Sequence, residues 1–376
     1  MKILFTGGGT AGHINPIIAI SRKIKEIYPQ EDIRFFYIGP KDNFAENLLS
    51  QEGFKIKTIS SGKIRRYLGF QSFFQNISDI LFKIPVGFFQ ALFYIFIFSP
   101  DLIFSKGGYG SIPVVLAGWL LMVPIFFHES DVSLGAANRL MSRFALEIFI
   151  SFPFEKMDYF LPHKMISVGN PIRSEILGGE EEEARKIFNL TGGKPVILIL
   201  GGSQGSQRIN DLILEILPEI LINFELIHQC GEKNFQQVEA EAKVMIDESL
   251  GKYYHLFPFL GENELKNAYK IADLIVSRAG SGSIFEIAAL AKPSILIPLP
   301  EAAQDHQIKN AYTYADRGAC IVIEEANLTP HFFLERLKSL FSQPERLREM
   351  AENAQFFSRP QAARIIAEYI IGYLSQ

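Results

Sequence analysis

Residues 277–310, SRAGSGSIFEIAALAKPSILIPLPEAAQDHQIKN, decide the fold. An apolar strand at 272–277 runs into a glycine turn at 279–283, and a helix begins there with Glu286 predicted in its first turn. A second strand at 294–299 ends at Pro300, and Asp305, His306 and Gln307 follow. This β-turn-α-β unit presents backbone N–H groups at a helix start, where a phosphate can sit. A carboxylate, an imidazole and an amide close to one strand edge suit the hydroxyls of a ribose or a sugar. The combination suggests a nucleotide-sugar site.

Outward from this unit, strands and helices alternate, which predicts parallel sheets covered by helices. Strands are expected at 2–6, 33–38, 55–59, 102–105, 124–128 and 147–151, and again at 195–200, 225–229, 253–257, 272–277 and 294–299. Each half opens with an apolar strand feeding a glycine-rich turn, GGGTAGH at 7–13 and GGSQGSQ at 201–207. The fold class is therefore α/β, with two doubly wound, Rossmann-like domains, 1–168 and 169–376, and a ligand cleft beyond the carboxyl ends of their strands. The helical spacing at 359–374, with no strand after it, predicts a final helix that packs back across the domains. The acidic run 180–183 reads as a solvated helix start, its charge favoured by the helix dipole.

The 376 residues exceed one comfortable core, which agrees with two domains. With 48% hydrophobic and 21% charged residues the chain is globular, and its net charge of −4 speaks against a dedicated nucleic-acid binder. The two cysteines, Cys230 and Cys320, lack metal-ligand spacing and read as small apolar core groups of a reducing compartment. The start has no secretory pattern, so a cytoplasmic location is expected. The uncharged runs 84–100 and 112–127 each fall short of the roughly 20 residues that span a bilayer, and neither is expected to cross one.

Four glycine-rich turns follow strands, at 7–12, 107–111, 201–205 and 280–283. One alone would be a tight turn; four at equivalent places point to phosphate-binding backbone. None matches the dinucleotide fingerprint or the phosphate loop ending in Lys-Ser/Thr, which disfavours a dehydrogenase and an ATPase. His13, at the end of the first turn, is either a base at a helix N-terminus or a histidine that caps and packs. His128-Glu129, ending a strand, is either functional or a salt-bridged structural pair. Glu286 can accept from both ribose hydroxyls, Ser203 and Ser281 can donate to a diphosphate, and Arg173 offers a guanidinium fork. No Asp-x-Asp motif occurs, so neither a cofactor nor a bridging metal is expected.

Residues 63–104 carry ten phenylalanines, with Lys63, Arg65, Arg66 and Lys83 among them. Phe70, Phe73 and Phe74 recur at helical spacing and read either as a core stripe or, flanked by Arg65 and Arg66, as a patch for an anionic bilayer. Inserting two or three such rings at about 1.5–3 kcal/mol each would give reversible attachment.

With these residues in hand, the chain resembles the MurG family, transferases that add N-acetylglucosamine to an undecaprenyl-pyrophosphoryl-muramoyl peptide. GGGTAGHINP, GGYGSIP, HESDVSLGAANR, GNPIR, GGSQGSQRIN, SRAGSGSIFEIAALAKP and DHQIKNA stand in the family's order over essentially the whole chain. The resemblance implies the GT-B fold of two facing Rossmann-like domains, inversion at the sugar without a catalytic metal, and work at the cytoplasmic face of the bacterial membrane. Its partners would be UDP-N-acetylglucosamine, the lipid-linked muramoyl acceptor, the membrane surface and other cell-wall synthesis proteins. By match to the family's motifs, Thr10, Ala11 and Gly12 face the sugar and diphosphate. Asp131 falls on a sugar contact, Arg173 and Ser203 on nucleotide and phosphate contacts, and Leu260 on a backbone contact to uracil. Ser281, Gly282, Ser283, Ile284, Phe285 and Glu286 form the phosphate and ribose segment. Gln307, with His306 beside it, reaches sugar hydroxyls, and His13 is the base or an acceptor-phosphate ligand. Ala11 replaces the family's usual glycine, and Asp131 stands where many members have asparagine, although a Ser-Asp version also occurs in the family. Rival readings are another GT-B enzyme, such as a diacylglycerol glucosyltransferase or a UDP-sugar epimerase, and a non-catalytic scaffold.

Overall fold

The computed structural model describes residues 1–8, 11–29, 32–62, 79–153, 160, 162–202 and 205–375. These divide into two compact units, Met1–Arg173 with Gln361–Gln376, and Ser174–Pro360. The division thus falls five residues beyond the boundary expected at 168, after the Gly-Asn-Pro-Ile-Arg segment.

The first unit runs β1 (Lys2–Thr6), α1 (Ala11–Ile27), β2 (Arg34–Gly39), α2 (Asn43–Gln51), β3 (Lys55–Thr58), α3 (Ile84–Phe98), β4 (Leu102–Ser105), α4 (Ile112–Leu120), β5 (Ile125–Glu129), α5 (Ala136–Met141), β6 (Glu147–Ile150) and β7 (Met165–Ser167). The second runs α6 (Glu181–Ile187), β8 (Val196–Leu200), α7 (Gln207–Glu215), α8 (Leu217–Asn223), β9 (Glu225–Gln229), α9 (Phe235–Met245), α10 (Glu248–Gly251), β10 (Tyr254–Phe257), α11 (Glu262–Ile271), β11 (Leu274–Ser277), α12 (Ser281–Ala289), β12 (Ser294–Leu296), α13 (His306–Ala315), β13 (Cys320–Val322), α14 (Pro330–Phe341) and α15 (Pro344–Phe357). The last helix, α16 (Ala362–Leu374), belongs to the first unit.

Every strand pair is parallel. The two sheets have the orders β3-β2-β1-β4-β5-β6-β7 and β10-β9-β8-β11-β12-β13. Both are doubly wound, with the chain reversing direction between β1 and β4 and between β8 and β11. The central strands β4, β5, β8, β9 and β11 are buried along their full length. Unbroken apolar runs such as Val196–Leu200 are what a strand covered on both faces requires. Ile366, Ala367 and Ile370 of α16 join α1, β1 and β4 in one core of the first unit, and Tyr369 and Tyr373 meet Phe126 edge-on.

Two short strands, β7 and β13, escape the sequence reading because neither carries a long apolar run. The strand expected at 294–299 ends at Leu296, since Pro298 has no N–H to continue the ladder. α12 begins at Ser281, so Glu286 is its sixth residue and stands in the second turn, not the first.

Candidate active site

All four glycine turns follow the strands that flank the two reversal points, β1 and β4 in one unit and β8 and β11 in the other. In an open doubly wound sheet this is where ligands bind.

In the second unit, Gly205 has φ +77, and a Cβ there would stand 2.1 Å from the Cys230 carbonyl oxygen, so only glycine lets the turn close on β9. Ser206 caps α7, accepting from the Ile209 N–H at 3.4 Å. Arg278, directly after β11, donates to Ser206 Oγ at 2.6 Å and to the Ile297 carbonyl at 3.1 Å, and is ion-paired with Glu325. It therefore ties the turn after β8 to the turn after β11. Gln229, the last residue of β9, donates to the Gly202 carbonyl at 3.1 Å and accepts from the Leu260 N–H at 3.0 Å. Leu260 thus has its N–H committed, and its carbonyl is the group left for a base.

α12 starts on Gly280 with no side-chain cap. The Ile284 N–H is already bonded to the Gly280 carbonyl, so the N–H groups of Ser281, Gly282 and Ser283 are the donors at the helix start. Ile284 and Phe285 point into the core, Phe285 with its ring 5.3 Å from that of Phe357. Glu286 is nearly buried and accepts from the Tyr269 hydroxyl at 3.0 Å, which fixes the carboxylate's orientation. Gln304 and Asp305 both have left-handed backbones, φ 58 and 54, a strained pair immediately before α13. That pair sets His306 at the first position of α13, its Nδ1 2.8 Å from the Ala303 carbonyl. Gln307 accepts from the Leu299 N–H at 3.0 Å, which leaves its NH2 group to donate.

In the first unit, Ala11 opens α1, Gly12 is exposed, and His13 is the third helical residue. A Cβ on Gly8 would come within 2.9 Å of His13 Nδ1, and one on Gly108 (φ +83) within 3.1 Å of Nε2. The imidazole therefore lies between the two glycine turns of this sheet, at the reversal point. Beside it a polar network joins β4 and β5. The Gly108 N–H donates to Asn138 Oδ1 at 2.9 Å, and Asn138 Nδ2 donates to Glu129 Oε2 at 2.8 Å. Glu129 Oε1 accepts from the Asp131 N–H at 3.1 Å. The buried Lys106 ammonium donates to Ser130 Oγ, which donates to Asn170 Oδ1 at 3.0 Å. Burial raises the Glu129 carboxyl above its ordinary range, reinforced by Asp131, and burial lowers the Lys106 ammonium.

His128 and Glu129 are not a salt-bridged pair. Alternation along β5 sends them to opposite faces, and His128 Nε2 lies 3.2 Å from the Gly169 carbonyl and 3.3 Å from Ser151 Oγ. Burial, first, and then the Lys106 charge hold His128 well below the usual histidine range, so it is neutral. Of the residues singled out from sequence, Thr10, Ser203, Arg65, Arg66, Phe70, Phe73 and Phe74 lie outside the described residues. Ala11, Gly12, His13 and the half-buried Asp131 and Arg173 fall in the first unit, and Leu260, the 281–286 segment, His306 and Gln307 in the second. Lys106, Asn138, Gln229 and Arg278 were missed. Three of them are the polar residue that ends or directly follows a buried apolar strand, a signal present in the sequence.

Two Rossmann-type units with glycine turns at both reversal points define a class, the two-domain fold of nucleotide-sugar enzymes. The glycosyltransferase family 28 N-terminal domain matches residues 3–150, and the corresponding C-terminal domain matches 196–366. A Clostridium tetani protein named UDP-N-acetylglucosamine–N-acetylmuramyl-(pentapeptide) pyrophosphoryl-undecaprenol N-acetylglucosamine transferase is 37% identical over 94% of both chains. A Bacillus cereus protein of the same name, numbered 2, is 36% identical over 100% of this chain and 99% of its own. The crystal structure of Acinetobacter baumannii MurG superposes with a TM-score of 0.73 at 25% identity, covering 99% of each chain. The chain belongs to the MurG family of glycosyltransferases. A UDP-GlcNAc 2-epimerase from Neisseria meningitidis, TM-score 0.66 at 15% identity over 99% of this chain and 100% of its own, shares the fold.

Proposed function

We propose that this chain moves N-acetylglucosamine from UDP-N-acetylglucosamine to the 4-hydroxyl of an undecaprenyl-pyrophosphoryl-muramoyl peptide, with inversion at the sugar. The observation that carries the reading is the His13 imidazole lodged between two glycine turns in a chain of this family. In the second unit the N–H groups of Ser281, Gly282 and Ser283 take the diphosphate. Glu286, aimed by Tyr269, accepts from the ribose hydroxyls, the Leu260 carbonyl meets the base, and the Gln307 NH2 reaches the sugar. In the first unit, Asp131 contacts the sugar and His13 takes the proton of the acceptor hydroxyl. The acceptor oxygen forms its bond to C1 as the bond from C1 to the UDP oxygen breaks, so an α-linked donor gives a β-linked product. The charge that develops on UDP is met by helix-start N–H groups and polar side chains rather than by a divalent cation.

The reaction would take place at the cytoplasmic membrane surface, with the chain bound peripherally. Gly87, Ala91 and Ile95 form the buried stripe of α3, whereas Val86, Phe89, Phe93, Phe96 and Ile97 are exposed, Phe96 by 76%. Trp119 and Met122 are exposed at the end of α4, the helix packed on α3. The segment Leu81–Phe98 has the length and composition of a membrane span, contrary to the estimate from the 84–100 run, and 17% of it is buried. Its 18 residues would extend about 27 Å. An apolar outer face of a helix docked by its inner stripe favours lying in the interface over crossing it. UDP release from UDP-N-acetylglucosamine, measured with and without the lipid-linked muramoyl acceptor and with EDTA, tests the reading. Acceptor-dependent release that survives EDTA is expected. Release without acceptor, or with diacylglycerol in its place, would overturn the assignment.

A further inference from the structure

Asp131 poses a problem that the family resemblance leaves open. With Glu129 it places two carboxylates at the end of β5, where a substrate carrying a diphosphate must approach. The structure supplies a counter-charge. Lys106, the first residue after β4, is only 2% exposed, and its Cβ lies 3.5 Å from where a Cβ on Gly7 would stand, beneath the turn after β1. Among the described residues no other lysine is buried. Its ammonium contacts the hydroxyl of Ser130, the residue between Glu129 and Asp131, and Ser130 passes the bond to Asn170. Among the described residues, the charged or titratable groups on the elements packed around it are Glu129 and Asp131 at the end of β5, His128, which is neutral, on β5 itself, and His13 of α1, whose Cβ lies 3.3 Å from the same Gly7 position. With both acids ionised, two carboxylates and one ammonium leave a formal charge of −1 at this edge; without the lysine it would be −2, and burial already opposes the charge on Glu129.

We propose that Lys106 and Asp131 act as one unit in this chain, Lys106 being a positioning residue that offsets Asp131 and holds Ser130 and Glu129 so that an anionic substrate can approach the end of β5. The inference rests on the glycosyl-transfer reading above. A buried lysine here makes an aspartate usable where asparagine would need no partner. Removing the lysine alone then takes this ammonium away from two acids, and removing the Asp131 charge with it returns the edge to its wild-type formal charge.

A double-mutant cycle tests this, with kcat/KM for UDP release measured against pH in wild type, Lys106→Met, Asp131→Asn and the double variant. Lys106→Met is expected to lower kcat/KM by at least about tenfold, and the double variant to recover most of that loss. In Asp131→Asn the alkaline limb of the pH profile is expected at lower pH, because the ammonium has lost an anion that favours its charged form. Equal losses from Lys106→Met with and without Asp131, or an alkaline limb unmoved in Asp131→Asn, would overturn the proposal. If Lys106→Met does not fold, the half-exposed Asp131 still permits the second comparison. The same cycle read in thermal unfolding midpoints needs no turnover. A wild type that released no UDP would therefore undo the reaction assignment while this coupling was still measured, and additive midpoints would remove the coupling alone.

Discussion

The two units share a strand order and differ in what they set at its edge. After β8 and β11 the second unit offers backbone amides at an uncapped helix start, a carboxylate oriented by a tyrosine, and an amide whose oxygen is already used. After β1, β4 and β5 the first unit offers an imidazole pinched between glycines, a buried ammonium, a buried carboxyl group whose ionisation burial opposes, and a second carboxylate. On the proposed reading, one edge binds, mostly with neutral dipoles that need no counter-ion, and the other holds charge and moves a proton. Topology places both edges, and the residues that end the strands divide the work.

That division breaks first at His13. His13→Ala is expected to lower kcat by about 10²–10⁴-fold, the usual range for a general base, with KM for UDP-N-acetylglucosamine unchanged. Single-turnover rates and KM values for both substrates check it. A raised acceptor KM with kcat retained would make His13 a ligand of the acceptor's phosphate instead, and a raised donor KM would erase the contrast between the units.

Glu286→Gln is the matching change in the second unit. Glutamine keeps an oxygen for the Tyr269 hydroxyl and loses the charge, so donor KM should rise by about 10–100-fold, as for a lost hydrogen bond to a charged group. Acceptor KM should hold. If Glu286→Gln raised the acceptor KM equally, binding and chemistry would not be segregated as described.

A smaller effect probes the outer surface of the first unit. Replacing Phe89, Phe93 and Phe96 together by serine is expected to weaken binding to anionic vesicles by at least about tenfold, since each ring contributes up to about 1.5–3 kcal/mol when fully buried. Turnover on a short-chain, water-soluble acceptor should be unaffected, because these side chains face away from the core. Sedimentation with vesicles that does not change would move the membrane contact elsewhere.

How much of this was legible in the sequence depends on the range of the interaction. Central strands such as Leu102–Ser105 were read to the residue, because a strand buried on both faces is a short, largely apolar run. The glycine turns were legible because each directly follows a strand with an apolar core, where the chain must turn sharply. Lys106 was not, since a lysine after a strand reads as solvated until Ser130, Glu129 and Asp131 are brought against it from a neighbouring strand. Nor was Arg278, whose partners Ser206, Ile297 and Glu325 come from three separate segments. The length of the apolar segment at α3 was underestimated for another reason: a run cut at its first charge starts at residue 84, whereas the helical segment continues through Lys83 to Leu81.

The last predicted effect is one in which the units should agree. Each buries a neutral histidine in a central strand, His128 in β5 and His228 in β9. His228 Nε2 lies 3.1 Å from Asn210 Oδ1 and Nδ1 lies 2.9 Å from the Tyr254 hydroxyl. Asn210 Nδ2 donates to the Cys230 carbonyl, so its oxygen must accept, which places the single imidazole proton on Nε2. Burial pulls the His228 pKa down to about 3. A histidine whose folded pKa lies below its unfolded value binds its proton more readily in the unfolded chain. Its contribution is therefore intact above about pH 6.5 and lost as pH falls from there towards 3, by up to about 1.4 kcal/mol per pH unit. His128 acts with the same sign. Calorimetric unfolding between pH 7 and 5 should show both units losing stability together. His228→Gln, which cannot take up a proton, should flatten the dependence for the second unit and leave the first unchanged. A slope unaltered by that substitution would mean that other groups carry the acid sensitivity of the second unit.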